Sequence, residues 1–246
     1  MCEECGCALT YAPRSKPSEP QMEEISVQQS LFAANDAVAA HNRQLFARHG
    51  VLTLNLMSSP GSGKTALLEA LIPQLSPALR CAVIVGDLAT DNDARRLQAS
   101  GAEAIQITTG QACHLDARMI ADTLPRLDLA ALDVLFIENV GNLVCPASFD
   151  LGERRRIALL SVCEGDDKPA KYPTLFHRAD MMLITKADLL PLLPGFVPAR
   201  AEACLRDLAS KAPCITLSAL QPASLTPLCR WISSQHAALQ NQWRAV

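Results

Sequence analysis

The chain has 246 residues, of which 49% are hydrophobic and 19% are charged, and its formal net charge is −3. This composition excludes a largely disordered protein and supplies enough apolar side chains for one sizeable core. The slight acidic balance argues against sequence-independent nucleic-acid binding, and no run approaches the roughly 18 apolar residues of a membrane helix. Because residues 1–7 lack the basic and apolar regions of a signal peptide, we expect a cytoplasmic protein that binds neither membrane nor nucleic acid.

Cysteines mark the amino terminus, where Cys2, Cys5 and Cys7 are three of the ten in the chain. In a reducing compartment such a cluster indicates metal binding before disulfides. With the α-amine it offers one nitrogen and three sulfurs, which suit nickel, zinc or copper(I); free terminal thiols are the alternative. Residues 8–26 contain three prolines and no apolar period. We therefore expect 1–26 to be a metal-binding motif on a flexible tether and 27–246 to be the folded domain.

A helix is predicted to begin at Val27 and to end at Gly50, on a stripe of regularly spaced apolar residues: Val27, Leu31, Ala34, Val38 and Leu45. Beyond it, apolar runs alternate with helical stretches. The predicted strands are 51–57, 81–86, 104–109, 134–138, 156–162, 181–185 and 214–218, and the predicted helices are 63–72, 92–100, 114–124, 199–210 and 224–240. This alternation predicts an α/β fold: a doubly wound, mostly parallel sheet with helices on both faces and ligands beyond the carboxyl ends of its strands.

The first predicted strand is followed by SSPGSGKT over 58–65 and then by a helix. This is the context of a phosphate-binding P-loop, except that Ser58 stands where the pattern has glycine. The residues expected to hold the nucleotide phosphates are Gly61, Ser62, Gly63, Lys64 and Thr65. Glycines let backbone N–H groups converge on phosphate oxygens, Lys64 reaches the β- and γ-phosphates as a catalytic residue, and the Thr65 hydroxyl binds Mg²⁺. The alternative is an ordinary turn.

Two carboxylates follow other predicted strands: Asp87 comes after 81–86, and Glu138 ends 134–138. Magnesium usually takes one or two protein carboxylates besides phosphate oxygens. We therefore expect Asp87 and Glu138 to join Thr65 as Mg²⁺ ligands, unless each only caps its own turn. Asp87 is also the candidate catalytic residue for positioning the hydrolytic water.

The strand over 181–185 leads into TKAD (185–188), which differs from the Asn-Lys-x-Asp pattern of GTPases by Thr185. One carboxylate accepts from both the ring N–H and the exocyclic amine of guanine, and adenine does not satisfy that arrangement. After the last predicted strand, Ser218-Ala219 would offer a backbone N–H to the base oxygen. We therefore expect GTP or GDP as the ligand, held at its base by Lys186, Asp188, Ser218 and Ala219.

A second group of metal-binding side chains is predicted near the nucleotide edge. Cys113 and His114 open a predicted helix, and Cys145 lies in the loop after Glu138. From spacing alone, packing residues are the alternative to a metal site. The other cysteines lie in apolar runs and are expected to be small core residues: Cys81, Cys163, Cys204, Cys214 and Cys229.

Six stretches share a family pattern: CEECGC, SSPGSGKT, GD-x-x-T-x-ND (86–93), CHLDARMIAD (113–122), FIENVGNLVCPASFDLGE (136–153) and EGDDKPAKYP (164–173). In these stretches the chain resembles the hydrogenase nickel-incorporation GTPases, accessory proteins in nickel–iron hydrogenase maturation. The resemblance implies a P-loop GTPase that forms a homodimer around nucleotide. It implies slow GTP hydrolysis that delivers or gates nickel to the hydrogenase large-subunit precursor, together with other nickel-delivery accessory proteins.

The resemblance also implies two metal sites. One is a tight nickel site made of Cys2, Cys5 and Cys7, and the other is a weaker nickel or zinc site at the dimer interface, made of Cys113, His114 and Cys145. The chain departs from the family pattern in having no histidine in 8–26, which argues against bulk nickel storage. It also lacks the Gly-rich turn expected after Ser218-Ala219.

Our hypothesis is that the loop from Glu138 to Cys145 couples the two sites. Loss of the γ-phosphate would relax this loop and move Cys145 relative to Cys113 and His114. Two other functions remain compatible with the sequence: a P-loop kinase for a small molecule, with a lid formed by Arg154–Arg156, and a non-catalytic nickel or zinc carrier with a structural nucleotide. The thiols at the amino terminus argue against a related nickel- or cobalamin-enzyme chaperone.

Overall fold

The computed structural model of the protein describes residues 22–76, 78–89 and 91–244. The predicted ligands Cys2, Cys5 and Cys7 lie outside the described residues, as does the predicted tether up to residue 21. Within the described ranges, no helix has the length and apolar character needed to cross a membrane.

The described residues form strands and helices in the predicted alternation. The strands are β1 (Leu52–Met57), β2 (Cys81–Asp87), β3 (Glu103–Thr108), β4 (Val134–Glu138), β5 (Arg155–Ser161), β6 (Met181–Thr185) and β7 (Cys214–Thr216). The helices are α1 (Met22–His49), α2 (Lys64–Leu75), α3 (Asn92–Ala99), α4 (Ala117–Thr123), α5 (Cys145–Ser148), α6 (Lys168–Lys171), α7 (Pro173–His177), α8 (Pro198–Asp207) and α9 (Thr226–Arg244). Short 3-10 turns lie at Leu124–Arg126, Leu129–Ala131, Ala187–Leu192 and Pro222–Leu225.

The strands form one sheet in the order β3-β2-β4-β1-β5-β6-β7, and every neighbouring pair is parallel. The register pairs Glu138 of β4 with Leu56 of β1 and with Val85 of β2. Since all strands run the same way, the loop after β1 and the carboxylates that end β2 and β4 meet at one edge of the sheet.

Alternate residues of the central strands enter different cores. In β4, Val134 and Phe136 pack in a cluster with residues of α2, α3 and α9. Leu135 and Ile137 pack in another cluster with residues of α1 and α4, and a third cluster includes residues of α7 and α8. The central strands are therefore buried on both sides, which confirms the doubly wound α/β prediction and explains their continuous apolar runs, whereas the edge strands β3 and β7 are partly exposed.

Helix α1 differs from its prediction in where it begins and in the face it buries. It begins at Met22 rather than at Val27. Leu31, part of the predicted apolar stripe, is 62% exposed, whereas Ala39, Asn42 and Phe46 are buried.

Asn42 explains why the apolar stripe was misleading. Its amide nitrogen donates to the backbone oxygens of Ala117 and Leu151 at 2.8 and 3.1 Å. Helix α1 thus packs partly through a buried polar contact, which an apolar periodicity does not register.

Cys163 is exposed in the turn after β5, so its prediction as a core residue was wrong. The turn at the carboxyl edge of the sheet leaves its side chain outside the packed layers. Cys81, Cys204, Cys214 and Cys229 are half-buried. Burial raises the pKa of Cys81 to about 12 and that of Cys214 to about 11, so these two thiols stay protonated at neutral pH.

The arginines considered for a kinase lid lie at the wrong end of the sheet. Arg155 and Arg156 begin β5, whereas the SSPGSGKT loop follows the end of its parallel neighbour β1. Arg155 pairs with Asp180 at 3.0 Å and Arg156 with Glu153 at 2.6 Å. Their guanidinium groups therefore serve packing within the fold.

Replacing Asn42 by alanine should destabilise the protein by about 1–3 kcal/mol, because the buried carbonyl groups of Ala117 and Leu151 lose their donor. Urea unfolding followed by circular dichroism measures the loss. Gln44→Ala, at an exposed position of the same helix, is the control and should change stability by less than about 0.5 kcal/mol. Equal unfolding midpoints for the two variants would contradict the role of Asn42.

Candidate functional site

The loop between β1 and α2 is built to surround an anion. Gly61 and Gly63 have φ of 71° and 96°, in the left-handed region that favours glycine. Lys64 and Thr65 then begin α2, whose amino end carries unpaired N–H groups and partial positive charge. Backbone geometry and helix orientation together suit a phosphate group at this point.

Ser58 is buried and holds Lys64 within the loop. The Ser58 hydroxyl accepts hydrogen bonds from Lys64 Nζ at 3.0 Å and from the Ser62 hydroxyl, and it donates to the Ser59 carbonyl at 2.8 Å. Burial lowers the pKa of Lys64, and the nearby Glu138 partly opposes that shift. In the sequence, Ser58 is only a departure from the glycine of the pattern, and nothing there indicates its contact with Lys64.

Glu138 faces Thr65 at the end of β4. Thr65 Oγ1 donates to Glu138 Oε1 at 2.8 Å, whereas Oε2 is buried and has no hydrogen-bond partner among the described residues. Burial raises the pKa of Glu138 to about 7, against the opposing effects of Lys64 and Thr65. An unpartnered carboxylate oxygen beside a threonine hydroxyl fits a hard divalent cation such as Mg²⁺.

Lys64, Thr65 and Glu138 line one cleft of about 470 Å³. Asp87 lies there at the end of β2, and its Oδ1 accepts from the backbone N–H of Ala89 at 3.0 Å. Asp93 and Arg96 of α3 also line the cleft. Neither residue was predicted as part of the site; the signal for both is their place shortly after the strand end that carries Asp87.

A second, apolar pocket of about 310 Å³ adjoins the phosphate loop. Asp188 lies in it and accepts a hydrogen bond from the Ser218 hydroxyl. Thr185 Oγ1 donates to the Ser62 carbonyl at 2.7 Å and thereby fixes this strand end to the phosphate loop. The remaining predicted base-site residues, Lys186 and Ala219, line the same pocket.

Cys113, His114 and Cys145 come together on the same edge of the sheet. Their ligand atoms all lie within 4.8 Å of one another: the two sulfurs are 3.0 Å apart, and His114 Nδ1 is 3.8 Å from Cys113 Sγ. Burial lowers the pKa of His114, so its ring is neutral at neutral pH, as a metal ligand requires. Two sulfurs and one imidazole nitrogen form a donor set for nickel or zinc.

The loop that contains Cys145 contacts both sites. The backbone N–H of Leu115, next to His114, donates to Asn139 Oδ1 at 3.1 Å, and Asn139 follows Glu138 directly. Gly141 packs so closely that a Cβ there would lie 2.8 Å from the Cα of Pro60 in the phosphate loop. The Cys113–His114–Cys145 cluster and the cleft at the phosphate loop therefore share one short segment.

Two residues around the cluster were not anticipated from the sequence. Asn142 Nδ2 donates to the Cys113 carbonyl at 3.4 Å, and its Oδ1 accepts from the Val144 N–H at 2.8 Å. The Phe149 ring stacks on the His114 ring with centroids 3.9 Å apart. Asn142 and Phe149 belong to the quoted FIENVGNLVCPASFDLGE stretch, but only the folded loops show what they contact.

The parallel sheet and the Gly-Lys-Thr loop that follows its first strand define the fold as that of a P-loop GTPase. The CobW/HypB/UreG nucleotide-binding domain matches residues 52–216. The chain is 48% identical to the hydrogenase maturation factor HypB of Escherichia coli K12, over 95% of this chain and 79% of that protein. It is 46% identical to the HypB of Azotobacter vinelandii, over 94% of this chain and 78% of that protein.

Among solved structures, the crystal structure of HypB from Helicobacter pylori in complex with nickel has a TM-score of 0.80 and 42% identity. The match covers 83% of this chain and 96% of that one. The chain belongs to the family of HypB hydrogenase maturation factors.

Proposed function

We propose that this protein hydrolyses GTP with Mg²⁺ and uses the nucleotide state to control nickel binding at Cys113, His114 and Cys145, for delivery to a nickel–iron hydrogenase precursor. The observation that carries the proposal is the segment shared by the nucleotide cleft and the metal-binding cluster. The relatives named as hydrogenase maturation factors and the nickel-bound Helicobacter pylori structure support it.

The phosphate end of the site accounts for GTP binding and hydrolysis. Gly61, Ser62 and Gly63 would surround the phosphates, and Lys64 would leave Ser58 to reach the β- and γ-phosphates. Thr65, Asp87 and Glu138 would hold Mg²⁺, which neutralises phosphate charge and so favours transfer to water. Asp87 would also position that water, since it lines the same cleft.

The base end accounts for guanine specificity. Asp188 would accept from the ring N–H and the exocyclic amine of guanine, and the Ser218 hydroxyl would orient its carboxylate. Lys186 would cover one face of the base, and the Ala219 backbone N–H would serve the base oxygen. Thr185, in place of asparagine, keeps the link to the phosphate loop through its bond to Ser62.

The coupling between the sites would run through Asn139 and Gly141. A change at Mg²⁺ and the γ-phosphate acts on Glu138, and Asn139 transmits it to the Leu115 N–H, one residue from His114. Gly141 packs against Pro60, so a movement of the phosphate loop would displace Gly141 as well. Cys145 follows on the same loop, so both sides of the metal cluster respond to nucleotide.

The wider assembly is part of the same proposal. The chain would form a homodimer when GTP binds, with the Cys113–His114–Cys145 cluster at the interface and nickel or zinc as its metal. Cys2, Cys5 and Cys7 would form a tighter nickel site, and other nickel-delivery accessory proteins would supply or receive the metal. The precursor of the hydrogenase large subunit would be the final acceptor.

Asp188→Asn should weaken GTP binding roughly 10- to 100-fold and favour xanthosine triphosphate, because the amide cannot accept from both guanine donors. Competition against a fluorescent guanine nucleotide measures both affinities. Asp207→Asn, at an exposed carboxylate that ends α8, should leave them unchanged. Unaltered GTP affinity in Asp188→Asn would refute the assignment of the base site.

Glu138 should make Mg²⁺-dependent nucleotide binding sensitive to pH. Its pKa near 7 means that Mg²⁺ must displace a proton from more molecules as the pH falls. The Mg²⁺ affinity of the nucleotide complex should therefore fall by about tenfold between pH 8 and pH 6, beyond the fall due to the nucleotide itself. Glu138→Gln should keep only the nucleotide's own dependence, and identical pH profiles for the two proteins would exclude Glu138 as a ligand.

Nickel affinity of the cluster should differ between nucleotide states by roughly 5- to 150-fold, the usual range of coupling between sites. Titration of Ni²⁺ into the GDP form and into a complex with a non-hydrolysable GTP analogue measures the ratio. Asn139→Ala should lower the ratio, because the Leu115 N–H loses its link to β4 while the contact of Gly141 with Pro60 remains. Equal nickel affinities in both states of the unsubstituted protein would overturn the proposed coupling.

A further inference from the structure

Helix α1 joins the two loops that carry the metal-binding cluster. Asn35 accepts from the Ala117 N–H at 2.9 Å through Oδ1 and donates to the Asp150 carbonyl at 2.8 Å through Nδ2. Ala117 lies three residues after His114, and Asp150 lies five residues after Cys145. One side chain of α1 therefore bridges the His114 loop and the Cys145 loop.

Two further residues of α1 repeat this bridge or strengthen it. Asn42 Nδ2 donates to the carbonyls of Ala117 and Leu151, which belong to the same two loops. Arg43 donates to both carboxylate oxygens of Asp150 at 2.7 and 2.6 Å. Both bonds come from Nη2 of Arg43, and they add an ion pair to the contact between α1 and the Cys145 loop.

An aromatic stack connects α1 to the His114 ring itself. Phe149 lies between Phe32 of α1, at 5.2 Å between centroids, and His114, at 3.9 Å. The His114 and Phe149 planes differ by 25°, which makes this a face-to-face contact. A histidine ligand needs its ring held in one orientation, and packing on a neighbouring ring supplies that constraint.

The side of α1 that contains Phe32 does not pack into the buried apolar clusters around the sheet. Phe32 is 36% exposed, and Leu31 beside it is 62% exposed. The side chains of Phe32 and Asn35 do not belong to the buried apolar clusters around the sheet. Their described contacts instead converge on the metal-binding loops.

We propose that α1 is a positioning element of the Cys113–His114–Cys145 site, with Asn35 setting the separation of its two loops and Phe32, through Phe149, setting the orientation of the His114 ring. This inference rests on the proposed metal-binding function and adds a control on it. Metal affinity then depends on how firmly α1 is docked. By linkage, metal binding stabilises the docking of α1 to the same extent.

The test uses the full chain with Cys2, Cys5 and Cys7 replaced by serine, so that nickel affinity reports the second cluster. Competition with a chromogenic chelator, in the GDP form, measures the affinity. Phe32→Ala should weaken nickel binding about 3- to 10-fold, and Asn35→Ala about tenfold or more. Phe32→Tyr keeps the ring and should restore the affinity, while Leu31→Ala, at the neighbouring exposed position, should leave it unchanged.

Hydrogen exchange in the parent protein supplies a readout that needs no substitution in α1. Adding Ni²⁺ should slow exchange at backbone amides of residues 30–43. A purely structural role for α1 would leave that exchange unchanged by metal, and this result would overturn the proposal. Affinities in Phe32→Ala and Asn35→Ala equal to that of Leu31→Ala would overturn it as well.

Cys145→Ser separates failure of this inference from failure of the proposed function. If Cys145→Ser loses nickel while Phe32→Ala and Asn35→Ala do not, the metal site stands and the role of α1 falls. If Cys145→Ser binds nickel like the parent, the metal site itself is wrong, and the positioning role falls with it. Binding of a fluorescently labelled GDP in the absence of nickel confirms that each variant is folded.

Discussion

The carboxamide of Asn139 is the interaction on which the relation between the two sites depends. It lies where β4 ends, directly after Glu138, and it accepts the Leu115 N–H that comes directly after His114. Its nitrogen donates to Asn55 in the neighbouring strand at 3.3 Å, so the group is fixed from the sheet side as well. Both ends of this buried amide are bonded, so in the proposed function a shift at Glu138 would reach the loop of the Cys113–His114–Cys145 cluster.

The carboxyl edge of the sheet sorts hard and soft ligands into adjacent places. Glu138 and Thr65 offer oxygen atoms in a buried cleft beside Lys64, where in the proposed function a divalent cation would offset the charge of the phosphates. Cys113, His114 and Cys145 are half-buried in the next loops. Because oxygen ligands favour Mg²⁺ whereas sulfur and imidazole favour nickel or zinc, the two sites can be close together and still select different ions.

The strands, the polar motifs that follow them and the cluster of Cys113, His114 and Cys145 could be predicted from the sequence, since apolar runs and strand-end motifs are local signals. Asn42 could not, because it docks α1 through carbonyls more than 70 residues away along the chain. The contacts of Ser58 and Asn139 could not be predicted for a related reason: they are hydrogen bonds whose partners are defined only once the loops fold. The exposure of Cys163 depends on where β5 ends, which an apolar run does not fix.

The segment from Leu115 to Ala117 is held from two directions. Asn139 binds its first N–H from the nucleotide side, and Asn35 binds its last N–H from α1. Between them, Asp116 caps α4 by accepting from the Met119 N–H at 2.7 Å, which stiffens the segment. In the proposed function, a displacement imposed at Leu115 would therefore be passed on to Ala117 and to α1, so that His114, next to this segment, would respond to nucleotide and to helix docking through one turn of backbone.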